Sequence, residues 1–253
     1  HGLVPDTRKT GAKNRVQREH NKVRDMREYL ERVKARVRDG KLEVRYQQRD
    51  GLGRMMTKNG VGLQTCYSCL RPALIGHLGY DLDMVNSAPT IVTQWIDRLN
   101  REGVMNCEIE ALRDYKDNRE RWFAEICEYH CCEKGDVKKM VCAVLNGGYP
   151  HLKDFKKNPY RIHPWLRRLG DEMKVVHGEV LHAFRDEYKD LIKRKREEKV
   201  TDEEVARSVF ATLSFDEENR CLMCLYNFLI KSVVMVWSLI FDGCIVDRCS
   251  DGL

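Results

Sequence analysis

Tyr80-Asp81-Leu82-Asp83-Met84-Val85 and Leu239-Ile240-Phe241-Asp242-Gly243-Cys244-Ile245-Val246-Asp247 are the stretches on which the reading of this chain turns. The first alternates at period two, which predicts a strand with Asp81 and Asp83 on one face. The second places two short apolar arms around Asp242-Gly243, a two-residue hairpin signal. If the two segments neighbour each other in one sheet, their carboxylates converge. Phosphoryl chemistry with two divalent cations needs such convergence, because each metal must bridge protein and phosphate oxygens. Taken singly, Asp81 reads more simply as a surface residue and Asp242 as a turn former.

Outward from these strands the pattern is mainly helical. Residues 1–13 lack periodicity and are expected to be an extended tail. Val16, Val23, Met26, Leu30, Val33 and Val37 then recur at sums of three and four, predicting an amphipathic helix that ends near Asp39-Gly40. Residues 41–64 carry Gly-rich strands and turns. After Pro89, helices are expected over 90–102, 108–132, 135–146, 165–196, 202–214 and 216–238, with breaks at Gly147-Gly148, Asn158-Pro159 and His163-Pro164.

The chain has 253 residues, 42% apolar and 33% charged, enough for a sizeable core and outside the disordered class. Its longest apolar run, Val233 to Phe241, is far short of the ~20 residues of a membrane span. No membrane partner is expected. It opens at His1, so a processed or trimmed N-terminus is expected. Eleven cysteines, with Cys131 and Cys132 adjacent, do not suit a disulfide framework and point to a reducing, intracellular compartment, whether nucleus, mitochondrion or viral replication site. Net charge is +6, but residues 1–59 hold 17 Lys and Arg against 8 Asp and Glu. A basic arm before a near-neutral body fits a polyanion binder, since each phosphate neutralised releases a counterion. A solvated basic helix fits the same charge count. Cys66-x-x-Cys69, Cys221-x-x-Cys224 and the Cys127, His130, Cys131, Cys132 group have knuckle-like spacings, but structural Zn2+ is not expected from pairs so far apart. There is no Gly-rich phosphate loop.

In order and spacing the pieces resemble the family A polymerases, the DNA polymerase I group and the single-subunit RNA polymerases, and most of all a divergent viral and mobile-element branch. The resemblance lies in Gly53-Arg54, Leu63-Gln64 and Arg71 upstream of the first acidic strand, the strand itself running into Pro89-Thr90, a helix with Lys134, Lys138, Cys142 and Asn146-Gly147 at intervals of four, and Phe241-Asp242-Gly243. It implies an α+β fold, mainly helical, with a right-hand palm formed by a small antiparallel sheet, and helical fingers. The implied domains are a basic arm (1–40), a first palm segment (41–107), fingers (108–200) and a second palm segment (201–253).

The implied activity is template-directed nucleotidyl transfer on nucleic acid with nucleoside triphosphates, using Mg2+ or Mn2+. Asp83 and Asp242 would be catalytic and metal-binding, with Asp81 as a further metal ligand. Lys134, Lys138, Asn146, Gly147 and Ala88 would bind the nucleotide, and Arg54, Gln64 and Arg71 the template and primer. Cys142 and Asn146 depart from the aromatic and Tyr of the family pattern, and Ala88 from its His or Glu. A rival expectation is therefore a domesticated, inactive polymerase-like domain serving as a nucleic-acid-binding or structural subunit of a larger assembly. An unrelated helical scaffold is a third.

Overall fold

The computed structural model describes residues 7–58, 60–150, 152, 155 and 157–248, with side chains from residue 21 onward. The described chain is mainly helical α+β, and by its internal contacts it forms two compact units.

The first unit comprises residues 1–51, 55–83 and 222–253. It holds α1 (Thr7–Arg36), β1 (Tyr46–Arg49), most of β2 (Leu52–Thr57), the short α2 (Arg71–Ile75), β3 (Gly79–Asp83), and the last turns of α8 leading into β4 (Val236–Ile240) and β5 (Gly243–Asp247). α1 starts within the expected tail; residues 1–6 of that tail lie outside the described residues. β1 and β2 form a hairpin whose turn residues, Asp50 and Gly51, both take positive φ, as a tight primed turn requires.

β3, β5 and β4 form an antiparallel three-stranded sheet in that spatial order. Its hairpin turns at Phe241-Asp242, one residue earlier than the sequence reading, with Phe241 at φ 50° and Gly243 already paired in β5. Gly243 is needed there for close approach: a Cβ would lie 2.3 Å from the Leu82 carbonyl oxygen on β3.

The second unit comprises residues 52–54 and 84–221. α3 (Ser87–Arg101) buries Ile91, Val92, Trp95, Ile96 and Leu99, one face of a 3.6-residue period. α4 (Glu110–His130) has its first free N–H groups capped from another helix: Ala111 N and Leu112 N donate to the Glu172 carboxylate at 2.8 and 2.9 Å. α5 (Lys134–Leu145) buries Val137, Met140, Val141, Val144 and Leu145 and turns Lys134, Lys138 and Cys142 to solvent. α6 (Pro164–Ala183) opens with Pro at its first turn and the His163 Nδ1 accepting from Trp165 N. Trp122 and Trp165 stack at 4.4 Å in the core between these helices.

Three helix bounds differ from the sequence reading. The expected helix over 165–196 is broken between α6 and α7 (Lys189–Glu198), where Phe184 turns inward to stack on Trp95 and Tyr188 packs against Phe184. The pair expected over 202–214 and 216–238 is one helix, α8 (Asp202–Lys231). It starts on a reciprocal cap between Thr201 and Glu204, and the hydroxyls of Thr212 and Ser214 bond back to Ser208 O and Ala211 O, so neither residue interrupts it. It stops before Val233, at φ 60°, because the run Val233-Val234-Met235-Val236-Trp237 favours extended backbone.

Candidate nucleic-acid interface

Among the residues of α1 whose side chains are described, Asp25, Met26 and Tyr29 meet the rest of its unit, Asp25 accepting from the Tyr67 hydroxyl at 3.5 Å. Tyr29 is buried and its hydroxyl donates to Gly62 O at 2.8 Å, while Met26, one turn earlier, meets the Cys69 thiol at 3.7 Å. Burial pushes the Tyr29 hydroxyl well above the usual phenol range, so it stays a donor. Between residues 22 and 36 most other side chains are exposed. Lys22, Arg24, Arg27, Arg32, Lys34 and Arg36 are exposed between residues 22 and 36, against Asp25, Glu28 and Glu31. Arg24 is partly neutralised by Asp25 at 3.3 Å and Glu28 at 3.7 Å, exposed pairs of small energetic weight. Arg36 and Arg45, with Glu43 and Val61, line a cleft of about 140 Å3 beside the helix end.

In the same unit, the sheet register sets Asp83 opposite Gly243, so the backbone of Asp242 lies one residue from the partner of Asp83. Opposed antiparallel residues have Cα atoms about 4.5–5.5 Å apart. Asp81 stands opposite Ile245, exposed, on the Asp83 face. Among the described residues no group of three or more His, Cys, Asp or Glu side chains could hold a metal ion unaided. Two carboxylates nevertheless fit Mg2+, which takes one or two protein carboxylates and completes its shell with water and phosphate oxygens.

Gln64 is buried and locked between backbone groups: it accepts from Thr57 N at 3.1 Å and donates to Met55 O at 2.7 Å. Arg71 opens α2, close enough to Tyr29 and Cys66 to lower the pKa of both against the larger, opposing effect of burial.

In the second unit, Arg54 makes a two-pronged ion pair with Glu218, which is 2% exposed, and its guanidinium lies 4.0 Å from the Phe215 ring centroid. Gly53 N donates to Asp216 at 3.1 Å. The Gly-Arg pair thus fastens the chain to α8, a role that sequence spacing could not reveal. On α5, Lys134 pairs with Glu120, Lys138 is exposed, and Asn146 donates to Cys142 O at 2.8 Å. Gly147, at φ 70°, presents its carbonyl to Arg207 at 2.6 Å, closing the helix end. Ala88, Cys142, Asn146, Phe215 and Glu218 share the lining of a small cavity of about 60 Å3.

Among the described residues no cysteine forms a disulfide, and burial pushes the Cys132 thiol up to about 11. His130 is fully buried, and burial pulls its pKa below the usual imidazole value.

No family model matches the chain, and no solved structure does. Over 218 residues it is 24% identical to a protein described as "Putative helicase V13" of Sputnik virophage, an alignment covering 82% of this chain and 26% of that protein. The chain therefore spans about a quarter of the length of this relative.

The finding overturns the polymerase resemblance. The similarity is to a viral protein described as a helicase, so neither template-directed nucleotidyl transfer nor its inactive polymerase-like counterpart carries over, and the palm and fingers are not shown. The physical reason is visible in the motifs themselves. Gly-Arg, Leu-Gln and Asp-Gly are short, and here each meets a local demand: an ion pair to α8, a buried amide bridge, and a close strand crossing. Among the described residues no helix is long and apolar enough to cross a membrane.

Proposed function

We propose that this chain is a nucleic-acid-binding portion of a viral replication protein of the helicase kind. The observation that carries the reading is α1, with six exposed cations between residues 22 and 36. Such a surface attracts phosphate at long range and is paid back by counterion release on contact. The name of the virophage relative supports the same partner, and NTP-driven unwinding is a proposal about the longer protein. Lys134 and Lys138, on the solvent face of α5, are its candidate contacts for nucleotide phosphates, with Asn146 and Gly147 at the end of that helix.

The paired acids belong to the same reading. The register brings Asp83 and the Asp242 turn to one end of the sheet, and as part of this proposal the two carboxylates would hold a Mg2+ that also meets phosphate oxygens. Asp81, two residues along, does not join them in a three-ligand group among the described residues.

The test is equilibrium binding of labelled single-stranded and duplex oligonucleotides by a variant carrying Arg27→Gln, Arg32→Gln, Lys34→Gln and Arg36→Gln, all at exposed positions. Loss of affinity for both forms is expected. Unchanged affinity, with the fold intact by circular dichroism, would refute the assignment.

A further inference from the structure

At the end of the sheet opposite the acidic turn, the two outer strands carry exposed aromatic side chains, while Val246 between them is buried. Tyr80 on β3 is 52% exposed, Trp237 on β4 is 37% exposed, and Met235 is 62% exposed. The ladder runs beyond the strands there: Arg248 N donates to Leu78 O at 3.1 Å and Asp247 N to Met235 O at 3.0 Å. Tyr80, Val246 and Val236 form one cross-strand row. A register shift between Val236 and Ser238 leaves Trp237 out of the pairing beside that row, the kind of irregularity that re-aims a side chain. With strands about 4.8 Å apart, the backbones bearing Tyr80 and Trp237 stand roughly 10 Å apart across β5. Arg248 holds its guanidinium 5.1 Å from the Tyr80 ring centroid, and Lys231, at the end of α8, is exposed. Asp81 belongs to the opposite face, where it pairs in register with Ile245.

Two open aromatic rings with a stacked guanidinium have few uses inside a monomer. Each base of a single strand offers a π-face, and aromatic and Arg planes accept it with little regard to sequence. Paired bases in a duplex keep those faces covered. We propose that Tyr80, Trp237 and Arg248 form a stacking platform for the unpaired bases of a single-stranded nucleic acid. This inference rests on the nucleic-acid reading above and deepens it by naming the strand state. Cations on the same sheet end complement the phosphates that connect stacked bases, and this favours a nucleic acid over a purely apolar partner surface.

Trp237 makes the proposal measurable. The other tryptophans, Trp95, Trp122 and Trp165, are buried, so quenching of indole emission by a bound strand reports on Trp237. The whole chain is titrated with oligothymidylate and with a blunt duplex. The platform predicts strong quenching by oligothymidylate and little by duplex, with the quenching lost in Trp237→Phe while that ring still stacks and most affinity remains. Tyr80→Ala and Trp237→Ala should each weaken single-strand binding by about 5- to 150-fold and leave duplex binding unchanged. Arg248→Gln, which leaves the strands untouched, should weaken it less.

Quenching absent while both oligonucleotides bind would overturn the platform and leave the nucleic-acid reading standing. No binding of either would overturn both. If Trp237→Ala abolishes self-association in sedimentation without changing single-strand affinity, the sheet end is a contact between copies of the chain and the platform is refuted.

Discussion

Lowering the pH should destabilise the chain through His177, and the size of the effect follows from its surroundings. The imidazole is buried on α6, its Nε2 3.1 Å from Leu145 O and its ring 4.4 Å from that of Phe210. Burial pulls its pKa down to about 4; Arg207 adds to this, while the Leu145 carbonyl and Glu203 oppose it. The unfolded chain keeps the ordinary value near 6.5. Between those values the unfolded state binds the proton and the folded state does not, so stability falls as pH drops through the window.

The full interval, from 6.5 to about 4, corresponds to about 3 kcal/mol, of which about 2 kcal/mol should be lost by pH 5. His177→Gln keeps a donor for the Leu145 carbonyl and removes the titration. Urea unfolding of both proteins at pH 7.5, 6 and 5, followed by circular dichroism, measures the difference. Buried His130 and half-buried His163, whose pKa values are also depressed by desolvation, remain in both proteins and cancel. The stability gap between wild type and variant should shift by about 2 kcal/mol toward the variant between pH 7.5 and pH 5. A gap independent of pH would refute the reasoning.

Gly243→Ala would push a methyl against the Leu82 carbonyl oxygen, 2.3 Å away, and β3 would have to retreat; thermal unfolding should report a loss of about 2–3 kcal/mol. Gly135→Ala, in α5 with nothing within 4 Å, should instead stabilise by about 0.5–1 kcal/mol, and an equal loss at both sites would contradict the close-crossing argument. Arg54→Ala leaves the buried Glu218 carboxylate without its partner and should cost about 3–5 kcal/mol in denaturant titration. A neutral result there would mean that the ion pair is not what fastens the chain to α8. Asp83→Asn should shift Mg2+-dependent enhancement of oligonucleotide binding to higher metal concentration, since it removes one of the two carboxylates at the assigned cation; an unaltered Mg2+ titration would remove the assignment.

What the sequence could reveal was set by range. Helices α3 and α5 were legible because their buried residues recur at three and four, and the cap at Thr201 and Glu204 has a local signature. Asp-Gly occurs four times, and at the two hairpin turns local chemistry could not tell the cases apart. At Asp50-Gly51 both residues take the left-handed turn conformation, whereas at Asp242-Gly243 the glycine serves the neighbouring strand. That neighbour, Leu82, is remote in sequence. Phe184 breaks the expected long helix for a similar reason, because its stacking partner Trp95 lies on another element.

The candidate site shows the same division. Asp81 and Asp83 announce themselves by alternation, but Arg54 finds Glu218 164 residues away, a pairing that no spacing contains. Read without that partner, the arginine appears free to contact nucleic acid. The polymerase resemblance grew from such short motifs, whose structural employment is invisible until the fold brings their partners together.

The central claim is that exposed cations of α1 hold nucleic-acid phosphate, and the salt dependence of binding tests it most directly. Each phosphate contact contributes about 0.9 to the slope of log affinity against log salt on duplex DNA, and about 0.7 on a single strand. If Arg27, Arg32, Lys34 and Arg36 all make contacts, replacing them with glutamine should flatten the duplex slope by about 3.6. Between 50 and 200 mM salt that is about 150-fold less variation in affinity than wild type shows. A slope unchanged by the four substitutions would contradict the account.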